Sequence, residues 1–308
     1  MLIALILDHL DDLKPYKDTS LAIMREAANR GHTLFIAMQG DLFLRHEKVR
    51  ILSKPFTFSE GVNWYALGEV VESSPSDFDV VLMRKDPPFD NEFLYSTYLL
   101  DLAEKQGARV LNHPVSVRDW NEKLSIANFP QFAPEFLVTR EQTLIREFLR
   151  AHGDIVVKPL DGMGGMGVFR VGPDGLNLSS IVETLGKNGA RTLMAQRYLP
   201  EIVAGDKRIL LIGGEVMPQA LARIPQGSEI RGNLAVGGRG LAMALTAREE
   251  EIANHLAPIL AKRGLFLVGL DMIGGYLTEI NVTSPTCFVE ITQQTNLDIA
   301  QKWLTLLE

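Results

Sequence analysis

The pattern of hydrophobic and polar positions in the first third of the chain predicts a parallel sheet. Short apolar segments at residues 2–7, 33–37, 80–83 and 109–112 predict strands, because continuous apolar runs suit strands buried on both faces. Helical periodicity lies between them, and strands that alternate with helices predict right-handed parallel crossovers. Residues 43–75 predict only a strand or two and a loop.

The helices of this first part have recognisable ends. Asp18 or Thr19 can cap a helix that runs to Arg30, and Asp90 can cap another that runs to Gln106. A glycine follows each of these helices, which is the usual stop signal. The same signals predict a helix over residues 114–129.

Polar residues follow the predicted parallel strands at their carboxyl ends, where such sheets bind ligands. They are Asp8, Arg84, Lys85 and Asn112. Arg84 has the geometry to clamp a carboxylate through two hydrogen bonds. The alternative is a solvated arginine at the mouth of a loop, and this part of the sequence does not decide between them.

The pattern changes near residue 133, where a second domain is expected to begin. Residues 133–139 begin this domain. The pattern predicts a strand at residues 193–198 and a hairpin over residues 209–217 around Gly213 and Gly214, which residues 220–223 follow. It predicts helices ending near Ala151, over residues 180–187, and over residues 249–263. The buried stripe of the last helix is expected to contain Ile252, Leu256, Ile259 and Leu260.

Residues 155–170 combine a lysine with a glycine-rich turn. A β-branched run ends in Lys158, and a second apolar run begins at Val168. The glycines between them are Gly162, Gly164, Gly165 and Gly167. Glycine lets backbone N–H groups converge on an anion, and lysine adds a positive charge for phosphate. The segment is neither a P-loop nor a Rossmann fingerprint. It predicts either a hairpin that covers a nucleotide or one whose glycines serve only the turn.

A candidate metal site lies near the C-terminus. Residues 277–282 alternate, so Glu279 and Asn281 share one face of a strand. A carboxylate and an amide oxygen are hard ligands of the kind that Mg²⁺ accepts. The alternative is a solvated outer face, which the apolar strand at residues 266–270 makes less favourable.

Asp271, on the preceding strand, joins this pair only if the turn between the strands has the right length. A two-residue turn at residues 274–275 would put Asp271 and Glu279 on opposite faces. A three-residue turn at residues 274–276 would set them directly across from each other. Three-residue hairpins with glycine in the left-handed position are common, so we expect the second arrangement.

Residues 224–240 contain five glycines and show little periodicity. Loops of this length without structure of their own are usually functional or disordered. Two arginines, Arg231 and Arg239, favour a mobile lid over an anionic substrate. A disordered surface loop is the alternative.

Composition limits the class of protein. A chain of 308 residues with 46% hydrophobic and 22% charged residues has the composition of a soluble globular protein with two or three domains. The net charge of −7 provides no basic surface for nucleic acid. The single cysteine, Cys287, fits a reducing compartment. No segment has the length of a membrane span or signal sequence, so we expect a cytoplasmic protein.

Several motifs together resemble the ATP-grasp ligases and, within them, the prokaryotic glutathione synthetases. The motifs are MRKDPPFD (83–90), NEKL (121–124), KPLDGMGG (158–165), ARIPQG (222–227), RGNLA (231–235) and TEINVTSPT (278–286). The resemblance implies an α/β protein with an N-terminal Rossmann-like parallel-sheet domain and an ATP-grasp fold of two α+β subdomains that grip ATP. We expect domains at residues 1–119, 120–202 and 203–308. No motif covers residues 48–76 or the last helix.

The resemblance also implies the site residues. Those for ATP are Lys123 and Lys158 at the phosphates and base edge, Gly162, Gly164 and Gly165 above them, Gln196, Tyr198 and Leu199 at the adenine, and Asp206 at the ribose. Those for two Mg²⁺ ions, which Mn²⁺ can replace, are Asp271, Glu279 and Asn281. The catalytic pair is Arg208 at the γ-phosphoryl group and Arg223 at the acyl phosphate. The substrate-binding residues are Lys17, Arg84, Arg231, Asn233 and Ser284.

The activity implied is the ATP-dependent ligation of γ-glutamylcysteine to glycine through an acyl phosphate. Two alternatives remain at this stage: another ATP-grasp ligase that adds an amino acid to a peptide, or a synapsin-like regulatory protein that binds ATP. The resemblance further implies a homo-oligomer, expected to be a tetramer.

Overall fold

The computed structural model describes residues 1–60 and 63–308, and its N-terminal part is a mixed sheet. The strands are β1 (Leu2–Leu7), β2 (Thr33–Met38), β3 (Leu42–Arg45), β4 (Lys48–Phe58), β5 (Tyr65–Leu67), β6 (Val71–Ser73), β7 (Val80–Met83) and β8 (Val110–Leu111). Strands β2, β1, β7 and β8 lie side by side and run parallel, which confirms the predicted parallel sheet. Apart from its first residue, β1 is buried, as its unbroken apolar run predicts.

The segment between β2 and β7 contains more strands than the sequence predicts. Strand β4 has 11 residues, pairs antiparallel with β2, and also pairs with β3, β5 and β6. Its buried residues include Val49, Ile51 and Ser53, which alternate with more exposed ones. Because a leucine, Leu52, lies on the more exposed face and a serine, Ser53, on the buried one, the hydrophobic pattern alone does not delimit the strand.

Helices α1 (Thr19–Asn29) and α2 (Asn91–Lys105) pack on this sheet and begin where the caps predict. The carboxylate of Asp18 accepts from the backbone N–H of Leu21 at 2.8 Å, and that of Asp90 accepts from Phe93 at 2.9 Å. Each cap satisfies a donor that the first helical turn leaves unpaired.

The helix predicted over residues 114–129 is wrong, because the chain breaks in the middle. Helix α3 (Pro114–Asp119) ends early, and a 3₁₀ helix covers Leu124–Asn128. Between them, the Asn121 side-chain oxygen accepts from the backbone N–H groups of Lys123, at 3.2 Å, and Leu124, at 2.9 Å. These side-chain hydrogen bonds compete with the backbone hydrogen bonds of a helix, so the helix breaks here. Lys123 lies at this break and lines a cavity between the sheets.

The glycine-rich segment belongs to a second, antiparallel sheet. Its strands are β9 (Phe136–Thr139), β10 (Ile155–Pro159), β11 (Phe169–Val171) and β12 (Leu193–Arg197), in the order β11-β10-β12-β9. Helices α4 (Gln142–His152) and α5 (Leu178–Leu185) cover it. Ile155 pairs with Val171 and Val157 with Phe169, which confirms the predicted strand–turn–strand.

The C-terminal part is a third sheet with helices on both faces. Its strands are β13 (Asp206–Ile212), β14 (Glu215–Ile224), β15 (Arg239–Ala244), β16 (Leu267–Ile273) and β17 (Tyr276–Asn281), in the order β15-β14-β13-β16-β17. The helices are α6 (Ala247–Lys262), α7 (Phe288–Gln294) and α8 (Ile299–Leu307). The Gly213–Gly214 hairpin forms as predicted, but α6 leaves Ile259 37% exposed, so Ile259 is wrong as a core position.

The C-terminal helices, which the sequence motifs do not explain, join the first and third sheets. Phe288 of α7 and Trp303 of α8 share one buried cluster with Leu21 and Met24 of α1 and with Leu210 of β13. Arg30, at the end of α1, donates to the Glu308 carboxylate at 2.7 Å. Among the residues described, no helix is long and apolar enough to cross a membrane.

Candidate functional site

A cavity of about 410 Å³ lies where the three sheets meet. Its walls come from the glycine-rich hairpin, the third sheet, the segment between β14 and β15, and N-terminal residues around Lys17 and Asp86. Every site residue implied by the family resemblance lines it, with the exception of Arg84. Residues far apart in the sequence therefore converge on one space.

Asp271 lies directly opposite Glu279, as predicted, but the expected three-residue turn is wrong. The turn has two residues, because Ile273 pairs with Tyr276. The register then shifts at Thr278, where a β-bulge places one extra residue in β17. The Thr278 hydroxyl donates to the backbone oxygen of Asp271 at 3.0 Å. The extra residue in the bulge places Asp271 and Glu279 on the same face of the sheet, as a three-residue turn would have done.

Asp271 is the centre of a buried ion-pair network. Arg208 contacts it through Nε at 2.5 Å and Nη2 at 2.9 Å. Arg223 Nη2 lies 2.9 Å from Asp271 and 2.5 Å from Asp206. Burial alone would raise the pKa of Asp271, but the guanidinium groups of Arg208 and Arg223 outweigh it and hold that pKa below its usual value.

A second charged group surrounds Glu279. The Nζ atoms of Lys123 and Lys158 lie 3.6 and 3.4 Å from its Oε1. Lys123 also donates to the backbone oxygen of Gly162 at 2.5 Å. Burial, with the nearby Lys123 charge, lowers the pKa of Lys158, and Glu279 opposes that shift. Two converging ammonium groups in a sheltered cleft are suited to a polyphosphate.

The carboxylates and Asn281 fit a metal that is shared with a ligand. The amide of Asn281 donates to the backbone oxygen of Gly269 at 3.3 Å, so its side-chain oxygen is the atom that can ligate. Across residues 1–60 and 63–308, no three His, Cys, Asp or Glu side chains form a metal-binding group. Mg²⁺ is commonly held by one or two carboxylates plus phosphate oxygens and water. Asp271, Glu279 and Asn281 match that donor set.

Three residues that line the cavity have a buried polar atom with no hydrogen-bond partner in the described part of the chain: Gln196 Nε2, Asp206 Oδ1 and Glu290 Oε2. Buried polar groups are normally satisfied, so these atoms fit a polar ligand. Burial raises the pKa of Asp206 to about 7, against the pull of Arg223. Leu199 is buried, and the Arg170 guanidinium stacks 3.9 Å from the Tyr198 ring centroid. The predicted adenine and ribose residues thus all line the same cavity.

The glycine-rich hairpin contacts the segment between β14 and β15. Arg231 Nη1 donates to the backbone oxygen of Gly165 at 3.1 Å. A Cβ at Gly165 would lie 2.7 Å from Asn233 Oδ1, and its φ of +82° also favours glycine. Arg231 bonds Glu229 as well, which lowers the pKa of Glu229 to about 2. The two loops therefore meet at the cavity, and both line it.

The lid segment is shorter than the sequence predicts. Strand β14 continues to Ile224, a 3₁₀ turn covers Leu234–Val236, and β15 begins at Arg239. Arg239 pairs with Ile224 and is exposed, so the expectation that it lies over the cavity is wrong. Arg231 is the arginine of this segment that lines the cavity.

The residues expected at the substrate end occupy different positions. Lys17 and Ser284 line the cavity, and the Ser284 hydroxyl donates to Asp86 Oδ1 at 2.5 Å. Arg84 is buried behind the wall, where it donates to Ser20 Oγ at 3.1 Å and to the backbone oxygen of Pro285 at 3.0 Å. The prediction that Arg84 faces the ligand is therefore corrected: it supports the loop that carries Ser284.

The other strand-end candidates are also paired within the protein. Lys85 Nζ lies 2.5 Å from Asp8, which also accepts from the backbone N–H of Asp86 at 2.8 Å. Asn112 exchanges hydrogen bonds with the backbone of Leu267 at 2.7 and 2.9 Å. Asn112 therefore joins the first and third sheets.

Asp86 and Glu122 also line the cavity, although the sequence predicted no role for either. Both lie inside motifs that carried the family resemblance, at 83–90 and 121–124. Their position inside these motifs is the sequence feature that indicates them, but an acidic residue type alone predicts no specific role.

Comparison with known families places both halves of the chain. Residues 1–118 match the N-terminal domain of prokaryotic glutathione synthetase, and residues 122–296 match the ATP-grasp domain of the same family. A glutathione synthetase from Nitrosomonas europaea is 55% identical over 312 residues, which cover 100% of this chain and 98% of the relative. One from Ralstonia nicotianae is 53% identical over 309 residues and covers 100% and 95%.

Solved structures support the fold. A D-cycloserine synthetase superposes with a TM-score of 0.71 at 17% identity and covers 99% of this chain and 98% of its own. A RimK-domain ATP-grasp protein from Sphaerobacter thermophilus gives a TM-score of 0.63 at 18% identity, with 99% of each chain covered. These similarities show a shared ATP-grasp architecture.

Proposed function

This chain belongs to the prokaryotic glutathione synthetase family, and from that premise we propose that it ligates γ-glutamylcysteine to glycine with ATP through an acyl phosphate. It is an ATP-dependent ligase with an ATP-grasp fold. The observation that carries the proposal is the convergence of Lys123, Lys158, Arg208 and Arg223 on one cavity whose wall also holds Asp271, Glu279 and Asn281.

ATP together with a divalent metal is the cofactor pair of this family. We propose two Mg²⁺ ions, with Mn²⁺ as a substitute, held by Asp271, Glu279 and Asn281. When bound, the ions neutralise and orient the β- and γ-phosphates. Gln196, Tyr198 and Leu199 hold the adenine, Asp206 holds the ribose, and Gly162, Gly164 and Gly165 cover the phosphates.

The residues of the chain then supply charge and position. A carboxylate is a poor electrophile, so γ-glutamylcysteine is first phosphorylated, a step that depends mainly on positioning and charge neutralisation. Arg208 meets the γ-phosphoryl group, and Arg223 meets the acyl phosphate. Their ion pairs with the buried carboxylate of Asp271, which hold both guanidinium groups in place, support this preorganised role.

The second step forms the amide bond. The amine of glycine attacks the acyl carbon, and phosphate leaves with the bridging oxygen. Because water would destroy the acyl phosphate, the site must be closed during this step. Arg231 and Asn233, in the segment that contacts the glycine-rich hairpin, support such closure. Lys17 and Ser284 bind γ-glutamylcysteine, and Arg84 holds the Ser284 loop from behind.

The direct test measures ADP release with γ-glutamylcysteine and glycine each omitted in turn. We expect sustained release only when both are present. Release with other acceptor amino acids or peptides would favour a different ATP-grasp ligase, and binding without turnover would favour a regulatory protein. Arg223→Gln should abolish turnover, whereas Arg239→Gln, at an exposed arginine of β15, should retain it.

We also propose a homotetramer with domains at residues 1–119, 120–202 and 203–308, as the family resemblance implies. Light scattering coupled to size-exclusion chromatography should give about four times the chain mass of 34.2 kDa. A single mass of one chain at working concentrations would contradict the tetramer. The finer domain limits can be tested by limited proteolysis at the two boundaries.

A further inference from the structure

The short segment from Asn121 to Lys123 lies between the second and third sheets and contacts both. On the hairpin side, Asn121 donates to the backbone oxygen of Leu160 at 3.1 Å, and Lys123 donates to that of Gly162 at 2.5 Å. On the other side, the backbone oxygen of Glu122 accepts from Ile280 at 2.8 Å. The segment thus joins the two walls of the nucleotide cavity.

The side chain of Glu122 strengthens the contact with the third sheet. Its Oε1 accepts from the backbone N–H groups of Val282 and Thr283 at 3.0 and 3.1 Å, and from the Thr283 hydroxyl at 2.8 Å. A carboxylate that receives several donors holds them more strongly than a neutral acceptor would. One oxygen atom therefore fixes the chain just after β17.

The fixed residues are flanked by site residues on both sides. Asn281 precedes Val282, and Ser284 follows Thr283. Glu122 is itself next to Lys123, and both line the cavity. A change in the Glu122 contact would shift Asn281 and Ser284 relative to Lys123.

We propose that Glu122 is a positioning residue of the ligase, one that sets Asn281 and Ser284 at a fixed position relative to Lys123. The proposal rests on the function proposed above but names a residue that the function did not use. Glu122 acts through its neighbours, since its contacts are with the backbone and a hydroxyl of the protein itself.

Glu249 provides a matched control. It is a buried carboxylate that also accepts a backbone N–H, from Thr246 at 2.8 Å, and it pairs with Lys207 at 2.7 Å. It lies on α6 and does not line the cavity. A loss caused only by removing a buried carboxylate should appear equally in Glu122→Ala and Glu249→Ala.

The experiment compares Glu122→Ala, Glu122→Gln and Glu249→Ala by calorimetric titration with ADP and Mg²⁺ and by the metal dependence of turnover. Glu122→Ala should weaken nucleotide binding and raise the half-saturating metal concentration by about tenfold or more, because it leaves buried donors without an acceptor. Glu122→Gln keeps an acceptor oxygen in place, so its nucleotide affinity and its half-saturating metal concentration should both stay within about threefold of the wild-type values. Glu249→Ala should keep nucleotide affinity and the half-saturating metal concentration within about twofold of wild type, even if it lowers the melting temperature.

Nucleotide binding by Glu122→Ala equal to wild type would overturn the proposal, as would an equal loss in Glu249→Ala. Should Glu122→Ala fail to fold, Thr283→Val removes only the hydroxyl donor and should still raise the half-saturating metal concentration about threefold. No change in that variant would also overturn it. If the wild-type protein binds nucleotide but lacks turnover, the proposed function is refuted. The calorimetric comparison of the variants would still test the positioning role of Glu122 in that case.

Discussion

At the scale of single residues, the site is organised by pairs of opposite charge that are shielded from water. Asp271 lies between Arg208 and Arg223, and Glu279 lies near Lys123 and Lys158. Removing one charged side chain of such a pair leaves the opposite charge buried without a partner. This destabilises the protein by more than the intact pair stabilises it. Substitutions here should therefore act on ligand binding and on the neighbouring charge together.

Glu279→Gln should keep the fold and lose most activity. The side chain keeps its shape on β17, but a negative ligand for the metal is removed and Lys123 and Lys158 lose their common partner. Steady-state rates measured across Mg²⁺ concentrations test this. Turnover close to wild type at limiting Mg²⁺ would show that Glu279 does not hold the metal.

Lys158→Ala should raise the KM for ATP about tenfold or more and leave peptide affinity little changed. A charge-assisted contact to phosphate is worth about 1.5–3 kcal/mol. Lys54→Ala, at an exposed lysine of β4, is the control and should change neither value. ATP affinity that survives in Lys158→Ala would remove the phosphate role assigned to the hairpin lysine.

Asp206 gives the ligand-free protein a predictable dependence on pH. Its pKa of about 7 in the folded state lies above the ordinary carboxyl value, so the folded protein binds a proton that the unfolded chain has released. The contribution of this group to the free energy of unfolding is fully present below about pH 4 and is lost as the pH rises through about 7. Above that range, burial of the charged form is a net cost.

Asp206→Asn stays neutral and should therefore gain stability relative to wild type as the pH rises from about 5 to about 8. Urea unfolding at these two values measures the difference, with Asp119→Asn, at an exposed position of α3, as control. A wild-type-minus-variant difference that stays constant over this range would contradict the raised pKa.

Single residues also show what the sequence can predict. The alternation of residues 277–282 was enough to put Glu279 and Asn281 on one face. The bulge at Thr278 was not predictable, because hydrophobic periodicity does not report one extra residue in a strand. Arg84 was assigned to the substrate by the family resemblance, since its charge and strand-end position left the choice open, and only packing shows that its guanidinium donates within the protein.

At the scale of elements, we expect the segment between β14 and β15 to protect the acyl phosphate. It contacts the glycine-rich hairpin through Arg231 and Asn233, and within residues 225–238 only Leu234, which is partly buried, packs against a main hydrophobic cluster. The segment therefore has few apolar contacts, which is characteristic of segments that open locally.

Replacing residues 226–238 with a short glycine linker should leave the fold stable and uncouple the two steps. Phosphate release that still requires γ-glutamylcysteine should exceed glutathione formation, because the acyl phosphate reacts with water before glycine arrives. The measurement is the ratio of phosphate to glutathione. A ratio that stays at about one would show that this segment does not protect the intermediate.

Elements with strong periodicity or caps were predictable, whereas breaks were not. Asp18 and Asp90 marked the starts of α1 and α2 correctly. The helix expected over residues 114–129 failed because Asn121 binds the backbone of the following residues. Local side-chain contacts of this kind compete with helix and do not disturb the hydrophobic pattern.

At the scale of the whole molecule, the site exists only because the three sheets meet. The first and third sheets are joined through Asn112 and through the cluster that contains α7 and α8. The second and third are joined through Glu122 and Lys123. The fold class followed from the motifs, but the function of the C-terminal helices as a bridge required the structure.

The most direct test of the account follows one oxygen atom. If the cysteinyl carboxylate of γ-glutamylcysteine attacks the γ-phosphorus of ATP and ADP leaves, one oxygen of that carboxylate becomes the bridge of the acyl phosphate and leaves with inorganic phosphate when glycine attacks. With both oxygens of the cysteinyl carboxylate labelled with ¹⁸O, mass spectrometry should find one labelled oxygen in each phosphate produced per glutathione. Unlabelled phosphate at normal turnover would contradict an acyl phosphate and, with it, the roles assigned to Arg208 and Arg223.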